Sequence, residues 1–103
     1  MKIKLYEQPV EYISPWNNPF SSSDFKIYDS WLKSVGFKLI RETKVLRSYK
    51  MSNGFEVDIH FHPTTRTVTF SVSNYDMKPY LYRSFDNFSK VKSYLWDNKY
   101  LDR

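Results

Sequence analysis

The chain of 103 residues contains no cysteine and no alanine, and only two of its residues are glycine. Without cysteine, neither disulfide bonds nor thiolate metal sites can stabilise the fold, and a reducing compartment is compatible with it. No segment is apolar over the length needed to cross a bilayer, and the first seven residues, Met1 to Glu7, lack the apolar run of a signal peptide. We therefore expect a cytoplasmic protein.

Aromatic and basic residues are abundant instead. The chain has 3 Trp, 9 Tyr and 8 Phe, and lysine outnumbers arginine eleven to five. Scarce alanine and glycine with lysine preferred to arginine is typical of proteins encoded by AT-rich genomes. The net charge is +5, and most of the excess lies before Ser52. Such a charge assists encounter with acidic partners, nucleic acid included, but specifies none.

The length predicts a single domain over residues 1–103. We divide it into an N-terminal extended segment with a proline-rich loop (residues 1–22), a folded core (23–98) and a short tail (99–103). Ile3 and Leu5 alternate with lysines as in a short edge strand, and Pro9, Pro15 and Pro19 mark the loop that follows.

The first helix is predicted over residues 23–35. Ser21 and Asp24 have the spacing of a capping box, which satisfies amide groups of a helix's first turn. Phe25, Tyr28, Leu32 and Val35 then recur at helical spacing. Gly36 stands where a left-handed residue ends a helix.

Residues 38–51 read as extended, with a bulge or break near Glu42 to Lys44, and the pattern leaves open whether they form one strand or two. The following turn, Ser52-Asn53-Gly54, can close on two or on three residues. Only a three-residue loop pairs apolar residues with one another: Met51 with Phe55, Tyr49 with Val57, and Val45 with Phe61.

The next two strands alternate between apolar and polar residues. The inward set is Phe55, Val57, Ile59, Phe61, Val68, Phe70 and Val72, and the outward set is Glu56, Asp58, His60, His62, Thr67, Thr69, Ser71 and Ser73. A short extended piece at 80–83 and a second helix from about 84 or 86 to 97 follow. Phe88, Val91 and Leu95 face the sheet in this helix, with Trp96 partly so. The predicted fold is an α+β two-layer sandwich: a three- to four-stranded antiparallel meander with both helices on one face, in the order α-β-β-β-α.

Asp58, His60 and His62 project from one face of a strand, and two histidines with a carboxylate can bind divalent metals. The competing interpretation, that they are simply solvated on an exposed strand, is the stronger one. We expect no metal and no cofactor. No nucleophile motif or glycine-rich phosphate loop is visible, so we expect a protein that is not an enzyme.

Basic residues recur every third position from Lys38 to Lys50. On a strand, Lys38, Lys44 and Lys50 would share one face, with Arg41 and Arg47 on the other. The candidate contacts to double-stranded RNA or DNA are Lys38, Lys44 and Lys50, together with Lys90 and Lys92 of the second helix. The helix-meander-helix order resembles that of the double-stranded-RNA-binding domain over residues 23–98. That family's Gly-Pro loop and lysine cluster have no counterpart in Ser52-Asn53-Gly54 or at Asp86, and membership is not claimed.

Tyrosine is enriched at recognition surfaces because it offers area and a hydroxyl at low entropic cost. Six tyrosines have no obvious place in the core: Tyr6, Tyr12, Tyr75, Tyr80, Tyr82 and Tyr100. The alternative is that these rings hold loops to the sandwich. We predict a protein-binding segment at 75–83, with Tyr75, Lys78, Tyr80, Tyr82 and Arg83 as its contacts.

The leading hypothesis for function is a small non-catalytic binding protein of the kind carried by phages and plasmids. Its expected partner is a host protein or nucleoprotein complex, for example a defence nuclease that it inhibits. The alternative is direct nucleic-acid binding through the basic N-terminal half.

Overall fold

A computed structural model describes residue 20 and residues 22–101. Its elements, in chain order, are α1 (Ser23–Ser34), β1 (Lys38–Glu42), β2 (Leu46–Lys50), β3 (Glu56–His62), β4 (Thr67–Asn74), β5 (Leu81–Phe85) and α2 (Phe88–Asp97). The predicted N-terminal strand, the proline-rich loop, Tyr6 and Tyr12 lie outside the described residues. Within the described part, neither helix has the length and apolar character needed to cross a membrane.

Helix α1 forms where the sequence predicts it, but its cap is one residue later. The N-cap is Ser22, whose hydroxyl accepts the backbone N–H of Phe25 at 3.4 Å, rather than Ser21, which is outside the described residues. The helix ends at Ser34 with Val35 as its C-cap, and Gly36 follows with a φ of +112°, a backbone angle that residues with a side chain rarely adopt. The predicted end of the helix before Gly36 is confirmed.

The five strands form one antiparallel sheet in the order β1-β2-β3-β4-β5. The predicted meander is therefore confirmed and has one or two strands more than predicted. Residues 38–51 are two strands rather than one, because the chain reverses at 43–45, where the Thr43 N–H donates to the Leu46 carbonyl at 2.8 Å. In addition, β1 carries a register shift between Leu39 and Arg41.

The three-residue hairpin loop is confirmed. The Met51 N–H donates to the Phe55 carbonyl at 2.8 Å, and Gly54 has a φ of +98°. Tyr49 pairs with Val57 and Lys50 with Glu56, as the burial argument required.

Both helices cover the face of the sheet that carries the inward residues. Tyr28 of α1 contacts Phe88 of α2, with ring centroids 4.5 Å apart, and Phe70 of β4, at 5.4 Å. Phe88, Val91 and Leu95 are buried, as predicted. The α+β two-layer sandwich is thereby confirmed. We call the sheet surface without helices the open face.

Three burial predictions need correction. Trp96 is 61% exposed, because it lies on the solvent side of α2. Ser73 projects from the sheet surface without helices, as predicted, but it is only 3% exposed. Tyr100, predicted near the surface, stacks on Phe55 with ring centroids 4.4 Å apart and is half-buried.

Candidate functional site

The loop between β4 and β5 is anchored by Asn74, the last residue of β4. Its side chain is buried, its Oδ1 accepts the N–H of Asp76 at 3.0 Å, and its Nδ2 donates to the carbonyl of Asn53 at 3.4 Å. The loop is thus tied to the β2–β3 hairpin. Gly54 sits at this junction, since a Cβ placed there would lie 2.7 Å from Oδ2 of Asp76.

Three tyrosines stand out from this anchored loop and from β5. Tyr75, Tyr80 and Tyr82 are 64%, 58% and 50% exposed. The rings of Tyr75 and Tyr80 pack against each other with centroids 5.3 Å apart. Rings that support one another lose little freedom when a partner binds, which favours recognition. We call these three residues the tyrosine surface.

Lys78 and Arg83, the two basic residues predicted to contact a protein partner, lie in different parts of the structure. Lys78 is exposed in the loop and precedes Pro79 through a cis peptide bond. Arg83 pairs with Val72 of the core and so projects from the helix-covered side of β5, whereas Tyr82 projects from the open face. The structure therefore brings Tyr75, Tyr80 and Lys78 into one loop and separates Arg83 from Tyr82.

Tyr82 also borders a small depression in the open face. A pocket of about 170 Å³ is lined by Leu46, Asp58, His60, Thr69, Phe70, Ser71, Tyr82 and Ser84. A shallower groove of about 590 Å³ continues from it towards α2, lined by His62, Thr69, Ser84, Phe85, Asp86 and Lys90. Tyr82 thus borders a depression that continues along β4 and β5 as a groove lined by apolar as well as polar groups.

Two carboxyl groups meet on the open face beside the pocket. Burial raises the pKa of Glu56, and the neighbouring carboxyl group of Asp58 raises it further, against the lowering effect of the Arg41 and Lys50 charges. Oδ1 of Asp58 is enclosed and has no hydrogen-bond donor among the described residues. The ionised form of Glu56 is therefore unfavourable at this position, because its partly buried carboxyl group lies beside that of Asp58.

The candidate metal ligands do share the open face, but they do not form a ligand set. The rings of His60 and His62 are 4.6 Å apart, and Nε2 of His62 lies 2.9 Å from the Thr69 hydroxyl. Among residue 20 and residues 22–101, no three His, Cys, Asp or Glu side chains are arranged to hold a metal ion.

The candidate nucleic-acid contacts fall into separate places. Lys38 and Lys50 are direct partners across β1 and β2. Lys44 lies in the turn at the far end of that hairpin. Lys90 is paired with Asp86 at 3.0 Å, and the Lys92 ammonium lies over the Phe88 ring at 5.8 Å.

The prediction that Arg41 faces away from these lysines is wrong. The register shift in β1 turns Arg41 to the open face, where its guanidinium donates to the Ser48 hydroxyl at 3.3 Å. Lys38, Arg41 and Lys50 therefore form a basic strip at one edge of the open face. Arg47 remains on the other side, with its guanidinium over the Phe20 ring and bonded to Glu42 at 2.8 Å.

Two groups that organise this region, Asn74 and the Glu56–Asp58 pair, were not predicted from the sequence. A signal for Asn74 was present, since an Asn two residues before Asp76 at a strand end is typical of a side chain that caps a turn. The carboxyl pair had a weaker signal, because acidic residues two apart on a strand necessarily share a face.

Comparison with known proteins finds no matching family model, no matching curated protein and no matching solved structure.

Proposed function

We propose that the protein is a small, non-catalytic, cytoplasmic binding protein that recognises a protein partner through the tyrosine surface and Lys78. The observation that carries the proposal is the group of three tyrosines, each at least half exposed, on β5 and on the preceding loop that Asn74 anchors. Large rings held in place by a buried anchor are the kind of residue that dominates binding energy at protein interfaces.

The composition supports a more specific proposal. A chain without alanine and rich in lysine and tyrosine is typical of accessory proteins of phages and plasmids from AT-rich bacteria. Such proteins often inhibit a host enzyme that handles nucleic acid, for example a defence nuclease. We propose an enzyme of this class, or its nucleoprotein complex, as the partner.

A pull-down with the tagged full chain tests the class of partner. A host lysate treated with nuclease is passed over the immobilised protein, and the bound fraction is quantified. We expect one protein retained in stoichiometric amount. Loss of all retained protein after nuclease treatment would contradict the proposal.

The surface is tested with a double variant, Tyr80→Ala with Tyr82→Ala. Because interface tyrosines contribute strongly when fully covered, capture should weaken at least about tenfold. Ile27→Ala is the matched control, since Ile27 is 59% exposed on α1, in the other layer. Equal capture by the double variant and the control would show that the tyrosines are not the contact.

A second candidate function is nucleic-acid binding by the basic strip of Lys38, Arg41 and Lys50. The observation that favours it is the direct pairing of Lys38 with Lys50, since like charges placed opposite each other are unfavourable in the free sheet and would be relieved by a phosphate. Glu56 and Asp58 lie on the same face and weaken the strip's field.

A gel shift at increasing salt tests this second candidate. Each phosphate contact releases counterions, so binding of double-stranded RNA or DNA should fall steeply with salt. Lys38→Gln with Lys50→Gln should reduce the salt dependence. The absence of any shift at low salt would contradict nucleic-acid binding.

A further inference from the structure

The hydrogen-bonding pattern of the sheet determines which backbone groups β5 presents to solvent. In an antiparallel pair, residues alternate between those bonded to the neighbouring strand and those pointing away from it. The Met51 N–H bonds to Phe55, and the Phe61 N–H bonds to the Val45 carbonyl. Odd-numbered residues of β3 therefore bond to β2, and even-numbered ones bond to β4.

The same alternation continues across the sheet. Because His60 of β3 faces Thr69 of β4, the odd-numbered residues of β4 bond to β3 and the even-numbered ones to β5. Val72 is opposite Arg83, so Arg83 bonds to β4, and Tyr82 and Ser84 direct their N–H and C=O groups outward. The Arg83 guanidinium reaches the Tyr82 carbonyl at 2.9 Å, which agrees with that direction.

The two edges of the sheet differ in how well they could pair with another strand. Among the described residues, β1 and β5 each have a strand on one side only. The edge at β1 is interrupted by the register shift after Leu39 and carries Lys38, Arg41 and Glu42. A bulge and charged residues are the features by which edges avoid pairing. The five residues of β5 pair with β4 without interruption and include a single charge, Arg83.

We propose that β5 is a docking edge that takes an extended segment of the protein partner as a sixth strand, with an acidic residue of that segment facing Arg83. This inference rests on the proposed function and specifies how the partner binds. The outward backbone groups of Tyr82 and Ser84 supply the hydrogen bonds, in the manner of strand addition to a sheet edge. The Tyr82 carbonyl joins them when the Arg83 guanidinium leaves it for the acidic residue. The side chains that flank the acidic residue lie on the open face beside Tyr82 and Ser84.

The positive charge of Arg83 is the reason for expecting an acidic residue in the partner segment. The Arg83 guanidinium is exposed, and in the free chain it bonds only to the adjacent carbonyl among the hydrogen bonds described. A carboxylate placed across from it forms a stronger, charge-assisted pair. A second copy of the chain is disfavoured, because antiparallel self-pairing with full overlap would set Arg83 opposite Arg83.

The free protein provides the first test. Amide hydrogen exchange followed by NMR should be fast at Tyr82 and Ser84 and slow at Arg83. Sedimentation should give a monomer. Protection of the Tyr82 and Ser84 amides in the free chain would mean that this edge is already occupied, and a dimer whose contacts include β5 would mean self-pairing; either result overturns the proposal.

The second test uses a displayed library of random twelve-residue peptides, selected against the immobilised full chain, with the best peptides then synthesised. We expect selected peptides with an Asp or Glu between apolar residues, and slowed exchange at Tyr82 and Ser84 when they bind. Failure to enrich any peptide, or binding that leaves both amides unprotected, would overturn the proposal.

A matched pair of variants at one position isolates the backbone contribution. Ser84→Pro removes an outward N–H and leaves the β4–β5 ladder intact, as proline is tolerated on edge strands. It should weaken the selected peptides by about tenfold or more. Ser84→Ala keeps the N–H and should bind as the unaltered chain does. Equal binding by both would overturn the proposal, and circular dichroism of each variant verifies that the fold is retained.

The two proposals fail separately. If Tyr80→Ala with Tyr82→Ala weakens lysate capture but Ser84→Pro does not, the tyrosine surface is the contact and the docking edge is wrong. If Ser84→Pro abolishes peptide binding and lysate capture is unchanged in every variant, the edge binds peptides and the proposed partner contact is wrong.

Discussion

The hydroxyl of Tyr49 donates a hydrogen bond to Oδ1 of Asp29 at 2.6 Å and so ties β2 to α1 across the core boundary. Tyr49 is fully buried, and the Asp29 side chain is 23% exposed. Burial acts to raise the pKa of Asp29, but hydrogen bonds from Tyr49 and Lys33, with the charges of Lys33 and Arg47, outweigh it and lower the pKa. The ionised carboxylate is therefore stabilised in the folded state.

Tyr49→Phe should destabilise the fold by about 1.5–3 kcal/mol at neutral pH, the range for hydrogen bonds to charged groups. The stability that Asp29 contributes is present above its unfolded pKa and is lost as pH falls through its lower folded pKa. The difference between the two proteins should therefore shrink in acid. Urea unfolding at a series of pH values measures this difference in the free energy of unfolding, with Tyr80→Phe on the surface as the control. If Tyr49→Phe remains equally destabilising at the lowest pH, the Tyr49 hydroxyl does not act by stabilising the ionised Asp29 carboxylate.

Glu56→Gln should raise stability at neutral pH. Burial and the neighbouring Asp58 raise the pKa of Glu56, so ionising it opposes folding above the unfolded pKa, and the full cost is present above the folded pKa. A glutamine side chain carries no charge, so this cost is absent from the variant. The variant should unfold at higher urea concentration at pH 7, with the gain declining as pH falls through the raised pKa. No gain at pH 7 would contradict an unfavourable Glu56 charge beside Asp58.

Gly54→Ala should be more damaging than Gly36→Ala. Both glycines have φ in the left-handed half of the map, where a side chain costs about 1–2 kcal/mol. At Gly54 the added Cβ would also lie 2.7 Å from Oδ2 of Asp76 and 3.0 Å from Oδ1 of Asn74, whereas at Gly36 its nearest neighbour is the Met51 methyl at 3.6 Å. Thermal unfolding compares the two, and NMR shifts of the Asp76 amide should change only in Gly54→Ala. Equal melting temperatures for the two variants would show that the Asp76 and Asn74 side chains move away from the added Cβ without loss of stability.

Phe88→Ala should cost about 3–5 kcal/mol, as expected for a buried phenylalanine. Phe88 lies where the two helices meet the sheet, with ring centroids 4.5 Å from Tyr28 and 5.6 Å from Phe70. Because small domains have stabilities of roughly 5–15 kcal/mol, this one change should leave the fold marginal. Trp96→Ala, at a ring that is 61% exposed, should cost much less in the same urea titration. Comparable losses would place Trp96 in the core.

The sequence by itself determined the parts of the fold that depend on local chemistry. Helix α1 and its stop at Gly36 followed from residue spacing and from the need for a positive φ. The register of β2 against β3 followed from the loop around Gly54, because a slip of one residue would move Val57 to the wrong face. The exposure of Tyr75, Tyr80 and Tyr82 followed from the limited volume of a core this small.

Only the tertiary structure decided the placement of the charged groups. The register shift after Leu39 places Arg41 on the open face, where it donates to Ser48. Arg47 lies on the other side, over the Phe20 ring, and donates to Glu42. The Asn74 anchor likewise depends on Asn53, more than twenty residues away in the chain. Contacts of this kind join residues that no local pattern relates, since they are set by which strands become neighbours once the sheet has formed.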